Sequence, residues 1–304
     1  MARTTALVAA LVAGLAACGA DGAEQDDSAG GDTGANPQGA SITIGSANFP
    51  ENVLLAEIYT AALEGEGVEV QQRLSIGTRE TYLAGLEEGS IDLIPEYTGA
   101  LALHFNPDAT ATDSDGVYAE LEDALPANLI VLDPSEAEDT DSIVVTQEAA
   151  EEFSLTTIGD LEPVAGEMVL GGPPEFEERP NGVPGLAEVY GLDFSAYRPI
   201  VAGTNLTAQA LADGQIDVAN IFSTDPAITE NGFVVLEDPE SLFVAQNVVP
   251  LLTKDANNDR VSTTLNKVSA VLDTPTLTDL LAKVVTDGED PADVGQEFVD
   301  DNLG

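Results

Sequence analysis

One sequence pattern occurs twice in this chain of 304 residues, at 77–93 and again at 203–218. Each copy begins with Gly-Thr and closes with Gly-x-Ile-Asp and one more apolar residue. An aromatic and a hydroxyl residue follow each copy, as Tyr97-Thr98 and as Phe222-Ser223. A unit of this size is typical of one βαβ-like motif used twice. The repeat therefore predicts two similar lobes, with a cleft that has an aromatic wall on each side.

Patterns typical of strands and helices alternate around the repeat. We predict strands at 41–45 and 68–74 and a helix between them, on which Leu54, Leu55 and Ile58 share one apolar face. Strands that alternate with helices indicate α/β architecture with a mostly parallel sheet. Each lobe is accordingly predicted to be a mixed, mostly parallel sheet flanked by helices.

The positions where predicted strands end are the candidate ligand site, because ligands of open α/β sheets bind beyond the carboxyl ends of the strands. The short strand at 91–94 is expected to stop before Pro95. The residues that this rule selects are Ser46, Asn48, Thr78, Tyr97, Thr98 and Phe222. Thr78 has a second interpretation as an ordinary helix cap, and Tyr97 as a half-buried aromatic residue.

The segment after residue 247 contains no third copy of the repeat and is mostly helical in pattern. We expect it to pack on the first lobe, so that the chain crosses between the lobes twice. The predicted organisation is a signal peptide at 1–17, a disordered tether at 18–40, a first lobe at 41–141 plus 247–304, and a second lobe at 142–246.

The first residues have the pattern of an export signal. The apolar run at 6–17 is too short to span a bilayer and ends in Leu15-Ala16-Ala17-Cys18. This ending resembles the bacterial lipobox, which predicts a lipid anchor on Cys18 at the extracytoplasmic face of the membrane. The alternative is a plain secretory signal with an incidental cysteine. The Gly-, Asp- and Ser-rich stretch that follows lacks apolar periodicity and is typical of a flexible tether.

The charge balance excludes one class of partner. The chain has 9 basic and 55 acidic residues, a net charge of −46. Phosphate binding needs clustered Lys and Arg, so nucleic acid is not expected as a partner. Acidic residues dispersed over the surface favour a solvated exterior, or alternatively adaptation to a saline setting in which salt screens their repulsion.

Catalysis has little support in the sequence. His104 is the one histidine and lies in a mixed apolar stretch, where a structural role is favoured. Asp92 and Asp217 occupy matching positions of the repeat, which indicates a structural pair and not an acid and a base with divergent environments. There is no zinc, EF-hand or phosphate-loop spacing. We therefore predict a protein without enzymatic activity, cofactor or metal.

Several motifs together resemble a known family. These are Gly45-Ser46-x-Asn48-Phe49-x-Glu51, the Gly-x-Ile-Asp units and above all Pro95-Glu96-Tyr97-Thr98-Gly99. They are similar to the substrate-binding lipoproteins of glycine betaine/carnitine/choline importers of the ABC type. The segments at 175–179, 222–226 and 234–239 resemble actinobacterial members in particular. The resemblance implies a two-lobed periplasmic-binding-protein fold of type II, a small osmolyte in the cleft, and a membrane permease with a separate ATPase as partners of a monomer.

The family's ligand cage is only partly present in this sequence. Tyr97 matches one of its four aromatic positions, and Phe222 falls at a second; the other two fall near Asp141 and at Gln246-Asn247. The resemblance thus implies polar contacts from Asp141 and Asn247. Arg179 matches an arginine that clamps a carboxylate, with pairing to a nearby acid as the alternative. Ala47 and Ala100 replace a lysine and a threonine of the family.

These observations predict a solute-binding protein without catalysis. One alternative is the same scaffold with a different polar or aromatic small molecule, since part of the cage is missing. Another is a sensing or interaction lipoprotein that takes no part in transport.

Overall fold

The computed structural model describes residues 41–201 and 205–304, which belong to a folded unit that spans Gly39–Gly304. The predicted signal peptide, Cys18, the tether and Gly203-Thr204 lie outside the described residues. The strands are β1 Ile42–Gly45, β2 Val70–Arg73, β3 Leu93–Tyr97, β4 Leu129–Val131, β5 Asp141–Val145, β6 Val169–Gly172, β7 Ala196–Pro199, β8 Val218–Phe222, β9 Val234–Val235 and β10 Val248–Thr253. The α-helices are α1 Pro50–Gly65, α2 Arg79–Glu87, α3 Thr98–Phe105, α4 Ser114–Ala124, α5 Gln147–Phe153, α6 Val183–Tyr190, α7 Leu206–Ala212, α8 Ala227–Asn231, α9 Asp259–Val271, α10 Thr274–Val285 and α11 Pro291–Leu303.

The strands form two five-stranded sheets of the same topology. The first sheet has the order β2-β1-β3-β10-β4 and the second has the order β7-β6-β8-β5-β9. In each sheet the first three strands are parallel, and the fourth is antiparallel to both of its neighbours. We call the part of the chain around each sheet a lobe. The exact lobe boundaries at 141 and 246 stay a prediction.

The repeat has a structural reason that is the same in both lobes. Asp92 accepts a hydrogen bond from the backbone N–H of Thr43 at 2.8 Å, and Asp217 accepts one from Val169 at 2.8 Å. Each aspartate thus ties the start of one strand, β3 or β8, to its parallel neighbour, β1 or β6. The expectation that these two residues are a matched structural pair is confirmed.

The glycines of the repeat end its helices. Gly89 after α2 has a φ of 70°, and Gly214 after α7 has a φ of 65°. This left-handed backbone costs a residue with a side chain more than it costs glycine, which is why helices commonly end in this way. The pattern that the repeat carries is therefore a helix stop followed by an anchored strand.

The strand β3 is longer than the sequence analysis predicted. It continues through Pro95, Glu96 and Tyr97, because β10 pairs with it along its whole length from Val248 opposite Tyr97. Pro95 lies opposite Pro250 in this register. Neither proline has an N–H to donate, so the two face each other where the ladder requires no donor. Proline usually indicates the end of a strand. Here Pro95 lies inside β3, because β10, more than 150 positions away in the sequence, pairs with that strand.

The C-terminal helices complete the core of the first lobe. Leu277 of α10 and Val294 and Phe298 of α11 are buried in one cluster with Leu54 and Leu55 of α1. The first lobe thus draws its core from both ends of the described chain. No helix among the described residues is long and apolar enough to cross a membrane.

Candidate functional site

A cleft of about 260 Å³ lies where the strands of both sheets end. Side chains from the first lobe follow β1 and β3 and lie on α2 and α3, and those from the second lobe precede or follow β5, β6 and β8. The residues used below are Asn48, Phe49, Thr78, Arg79, Glu80, Tyr82, Tyr97, His104, Asp139, Asp141, Glu175, Arg179, Asn181, Phe222 and Gln246. A cavity of this size suits a small molecule.

Three aromatic rings of the cleft lining form one connected group, which we call the aromatic wall: Phe49, Tyr97 and Phe222. The ring centroid of Phe49 lies 6.2 Å from that of Tyr97 in a stacked arrangement and 5.6 Å from that of Phe222. Phe49 and Tyr97 belong to the first lobe, and Phe222 ends β8 of the second. The wall therefore joins the lobes through ring contacts.

Behind the wall lies a buried group that we call the junction cluster: Glu51, Tyr97, Asp139 and Thr224. The Tyr97 hydroxyl donates to Glu51 Oε1 at 2.7 Å. Thr224 Oγ1, from the second lobe, lies 2.5 Å from Glu51 Oε2 and 2.9 Å from Asp139 Oδ1. One hydroxyl has one hydrogen, so it can donate to one of these carboxyls only. The other contact requires a proton on a carboxyl, so the geometry fits one proton shared between the two carboxyls.

The surroundings of the two carboxyls agree with this geometry. Burial raises the pKa of Glu51, against hydrogen bonds from Thr224 and Tyr97 that lower it. Burial also raises the pKa of Asp139, and the charge of Glu51 raises it further. Desolvation and like charge both disfavour the ionised forms. A proton held between the two carboxyls relieves both effects.

A buried ion pair fixes the first-lobe side of the cleft. Arg79 donates from Nε to Glu96 Oε1 at 2.8 Å and from Nη2 to Oε2 at 2.9 Å. The Tyr82 hydroxyl and the backbone N–H of Tyr97 also donate to Glu96. Burial lowers the pKa of Arg79, but the carboxylate of Glu96 outweighs it and raises the pKa overall. The guanidinium is therefore charged and already paired.

A second pair links the lobes across the cleft mouth. Arg179 Nη2 of the second lobe lies 3.6 Å from Glu80 Oε1 of α2 in the first lobe. Both side chains are partly exposed, so the pair is weak compared with the buried one. Its position makes it a contact that exists only while the lobes are together.

Asp141 is held by amides. Asn220 Nδ2 donates to its Oδ1 at 3.0 Å, and Asn181 Nδ2 lies 3.4 Å from its Oδ2. In the register of β5 with β8, Asp141 lies opposite Phe222. Burial raises the pKa of Asp141, and the hydrogen bond from Asn220 opposes that rise. This carboxyl lies beside the aromatic wall.

Comparison with known proteins adds a family to this geometry. Residues 40–301 match the family model described as the substrate-binding domain of the ABC-type glycine betaine transport system. The chain belongs to this family. The glycine betaine-binding protein YehZ of Escherichia coli K12 is 28% identical over 85% of this chain and 89% of its own. The glycine-betaine-binding protein of Pseudomonas aeruginosa is 25% identical over 86% and 88%.

Solved structures agree on the architecture. A crystal structure titled as a glycine betaine/carnitine/choline ABC transporter superimposes with a TM-score of 0.70 over 86% of this chain and 99% of that one, at 22% identity. The prediction of a two-lobed periplasmic-binding-protein fold of type II is confirmed. Proteins of this family bind small molecules and work with a membrane permease. The likeness to actinobacterial members in particular stays a prediction.

The structure brings six of the predicted site residues of this family member to the cleft. They are Asn48, Thr78, Tyr97, Asp141, Arg179 and Phe222. Thr78 begins α2 without accepting from the helix, and its hydroxyl donates to Glu80 at 2.6 Å. Whether each of the six touches ligand stays a prediction.

Three other predicted residues are buried outside the cleft lining and make structural hydrogen bonds. Ser46 Oγ accepts from the backbone N–H of Ser75 at 2.7 Å. Thr98 Oγ1 accepts from the backbone N–H of Asn247 at 3.1 Å, and Asn247 Nδ2 donates to the Ser135 carbonyl at 3.0 Å. These bonds tie together the loops that carry the cleft.

Several cleft residues were missed by sequence reasoning, although each adjoins a predicted one. Phe49 follows Asn48, and Arg79 and Glu80 follow Thr78. Asp139 lies two residues before Asp141. His104, expected to be structural, is exposed on α3 and lines the cleft. Treating the neighbours of each strand end as candidates would have found most of them.

Proposed function

We propose that the chain is the lipid-anchored, extracytoplasmic substrate-binding protein of an ABC importer and that its cleft binds a small osmolyte with a quaternary ammonium group, of the glycine betaine, choline or carnitine kind. The aromatic wall is the observation that carries this proposal. Ring faces attract a cation, by about 0.5–2 kcal/mol for each ring when water is excluded. Carboxyl groups beside the rings add to that attraction.

The geometry also supports the closure that delivery to a permease requires. Hinged lobes close around ligands in proteins of this architecture. Here Phe49 contacts Phe222, Glu51 contacts Thr224 and Arg179 pairs with Glu80, and each contact joins the two lobes. A ligand held by the aromatic wall would add to the same set of contacts.

We expect Phe222→Ala and Phe49→Ala each to weaken binding of a quaternary ammonium ligand by about two- to thirtyfold, since each removes one ring. Isothermal titration measures this directly. A thermal-shift screen is used first to find the ligand. A ligand at a concentration 100 times its dissociation constant adds about 2.7 kcal/mol to the free energy of unfolding.

Phe153→Ala is the matched control, since Phe153 is an exposed phenylalanine on α5 outside the cleft lining. Its affinity should equal that of the unmodified protein. If no quaternary ammonium compound binds the unmodified protein, this ligand class is wrong, and a polar or aromatic ligand suited to Asn181 and Gln246 takes its place.

The membrane anchor is tested separately. Cys18 is the single cysteine of the chain, so Cys18→Ala is expected to move the protein from the membrane fraction to the soluble one and to abolish labelling by a radioactive fatty acid. The same fractionation of the unmodified protein is the reference. Retention of Cys18→Ala in the membrane fraction would contradict lipid anchoring.

A further inference from the structure

The positive and negative side chains around the cleft are not balanced, and this imbalance affects which ligand can bind. Two arginines line it, and both already have acidic partners. Glu96 engages Arg79 through two hydrogen bonds, and Glu80 lies 3.6 Å from Arg179. Ala47 and Ala100 contribute no charge to the lining. No cationic side chain among the described residues of the lining is left without an acidic partner.

Three further carboxyl groups of the lining have no ion-pair partner. The described residues contain four ion pairs, and Asp139, Asp141 and Glu175 take part in none of them. Asp141 accepts hydrogen bonds from the neutral amides of Asn220 and Asn181. Burial raises the pKa of Asp141, and the charges of Arg179 and Arg79 oppose that rise without forming an ion pair with it. Since Arg79 offsets Glu96 and Arg179 offsets Glu80, the excess in the cleft is negative.

The negative excess lies where an ammonium group would bind. Asp141 is opposite Phe222 across neighbouring strands, so a cation on the face of that ring has a carboxylate nearby. A carboxylate group on the ligand would be disfavoured in the same place. It would have to displace Glu80 from Arg179 and would lie among like charges, and both raise the cost of binding it.

Resting on the proposed function, we propose that this cleft selects a net cation, a quaternary ammonium compound without a carboxylate such as choline, over the zwitterion glycine betaine. Specificity is a difference between two affinities, and here the uncompensated carboxyls supply both the attraction to one ligand and the repulsion of the other. The net charge of −46 also raises the concentration of cations near the surface.

Three probes of similar size test the proposal on the full chain by isothermal titration. They are choline, glycine betaine, and 3,3-dimethylbutan-1-ol, which is the neutral carbon analogue of choline. Choline is expected to bind about tenfold or more tightly than either of the others, as befits a charged contact. Equal or tighter binding of glycine betaine would overturn the proposal and indicate that Arg179 leaves Glu80 to clamp a carboxylate.

Tight binding of the neutral analogue would overturn the proposal as well, because the positive charge would then not be recognised. Absence of binding by all three probes instead contradicts the proposed function itself. The two failures are therefore distinguishable.

Two variants test which carboxyl groups cause the preference for choline over glycine betaine. Asp141→Asn is expected to weaken choline binding by about tenfold while changing glycine betaine binding less, so the ratio narrows. Because Asp141→Asn also alters the contacts with Asn220 and Asn181, the melting temperature of this variant is measured alongside its affinities.

Glu175→Gln removes a second negative charge without disturbing that network, and it should also reduce the ratio of choline affinity to glycine betaine affinity. Glu177→Gln, an exposed neighbour outside the lining, should leave the ratio unchanged; an unchanged ratio in Glu175→Gln and Asp141→Asn would overturn the assignment.

Discussion

Arg79→Met is expected to lower the free energy of unfolding by about 3–5 kcal/mol, the cost of removing one partner of a buried ion pair. Glu96 has no exposed surface, and its carboxylate accepts hydrogen bonds from Nε and Nη2 of Arg79. Methionine fills part of the space and donates nothing, so the carboxylate of Glu96 loses its counter-charge in the interior. Urea unfolding followed by circular dichroism measures the change.

The matched control is Lys267→Met. Lys267 pairs with Glu66 at 3.2 Å, but both side chains are about half exposed, and such a pair contributes about 0–1 kcal/mol. Adding Glu96→Gln to Arg79→Met should recover part of the loss, since the unpaired charge is then gone. Equal losses from Arg79→Met and Lys267→Met would contradict the buried pair as a source of stability.

The second large effect concerns the junction cluster and pH. The folded-state pKa of both Glu51 and Asp139 lies above the ordinary value, first because of burial. A carboxyl with a raised folded pKa stabilises the fold below its unfolded pKa of about 4, and that contribution is lost as pH rises through the folded pKa. The free energy of unfolding should therefore fall as pH increases above about 4.

Glu51→Gln is expected to reduce this dependence. Glutamine can still accept from Tyr97 and can donate to the Thr224 hydroxyl, which then donates to Asp139, so no shared proton is needed. The variant should gain stability relative to the unmodified protein as pH rises from 5 to 8. Glu51→Ala, by contrast, leaves the buried Tyr97 hydroxyl without its acceptor and should cost about 1–3 kcal/mol throughout.

Glu136→Gln serves as the control for charge alone, since Glu136 is exposed in the same connecting segment as Asp139. Surface changes of this kind stay within about 0.5 kcal/mol. If Glu51→Gln and Glu136→Gln show the same stability difference at every pH, the cluster holds no shared proton.

Local signals were sufficient for much of the fold. The Gly-x-Ile-Asp unit specifies a helix stop followed by a strand through neighbouring residues, and both copies adopt that structure. The partner of its aspartate, Thr43 or Val169, lies in a distant strand. The exception was β3, where Pro95 lies in a strand because the distant strand β10 pairs with β3 along its whole length. A pairing between distant segments leaves no mark on the local pattern.

The candidate site was less predictable for the same reason. Phe222 and Tyr97 could be placed in the cleft from the repeat, but the contact of Phe49 with both rings needs the two lobes in position. The partners of Arg179 and Asp141 could not be chosen from sequence either, because acidic residues and amides are abundant near each of them. Which carboxylates are compensated depends on distances of a few ångströms.

The sequence by itself determined the two-lobed architecture, since the helix stop and the alternation of strands with helices depend on neighbours in the chain and the repeat carries them twice. Only the tertiary structure decided the electrostatics of the cleft. Glu51, Asp139 and Thr224 come from three separate segments, and the pKa of both carboxyls is raised because folding buries them together. The burial and the ion-pair partners of a carboxyl depend on residues that are distant in the sequence, so they become known only when the tertiary structure is known.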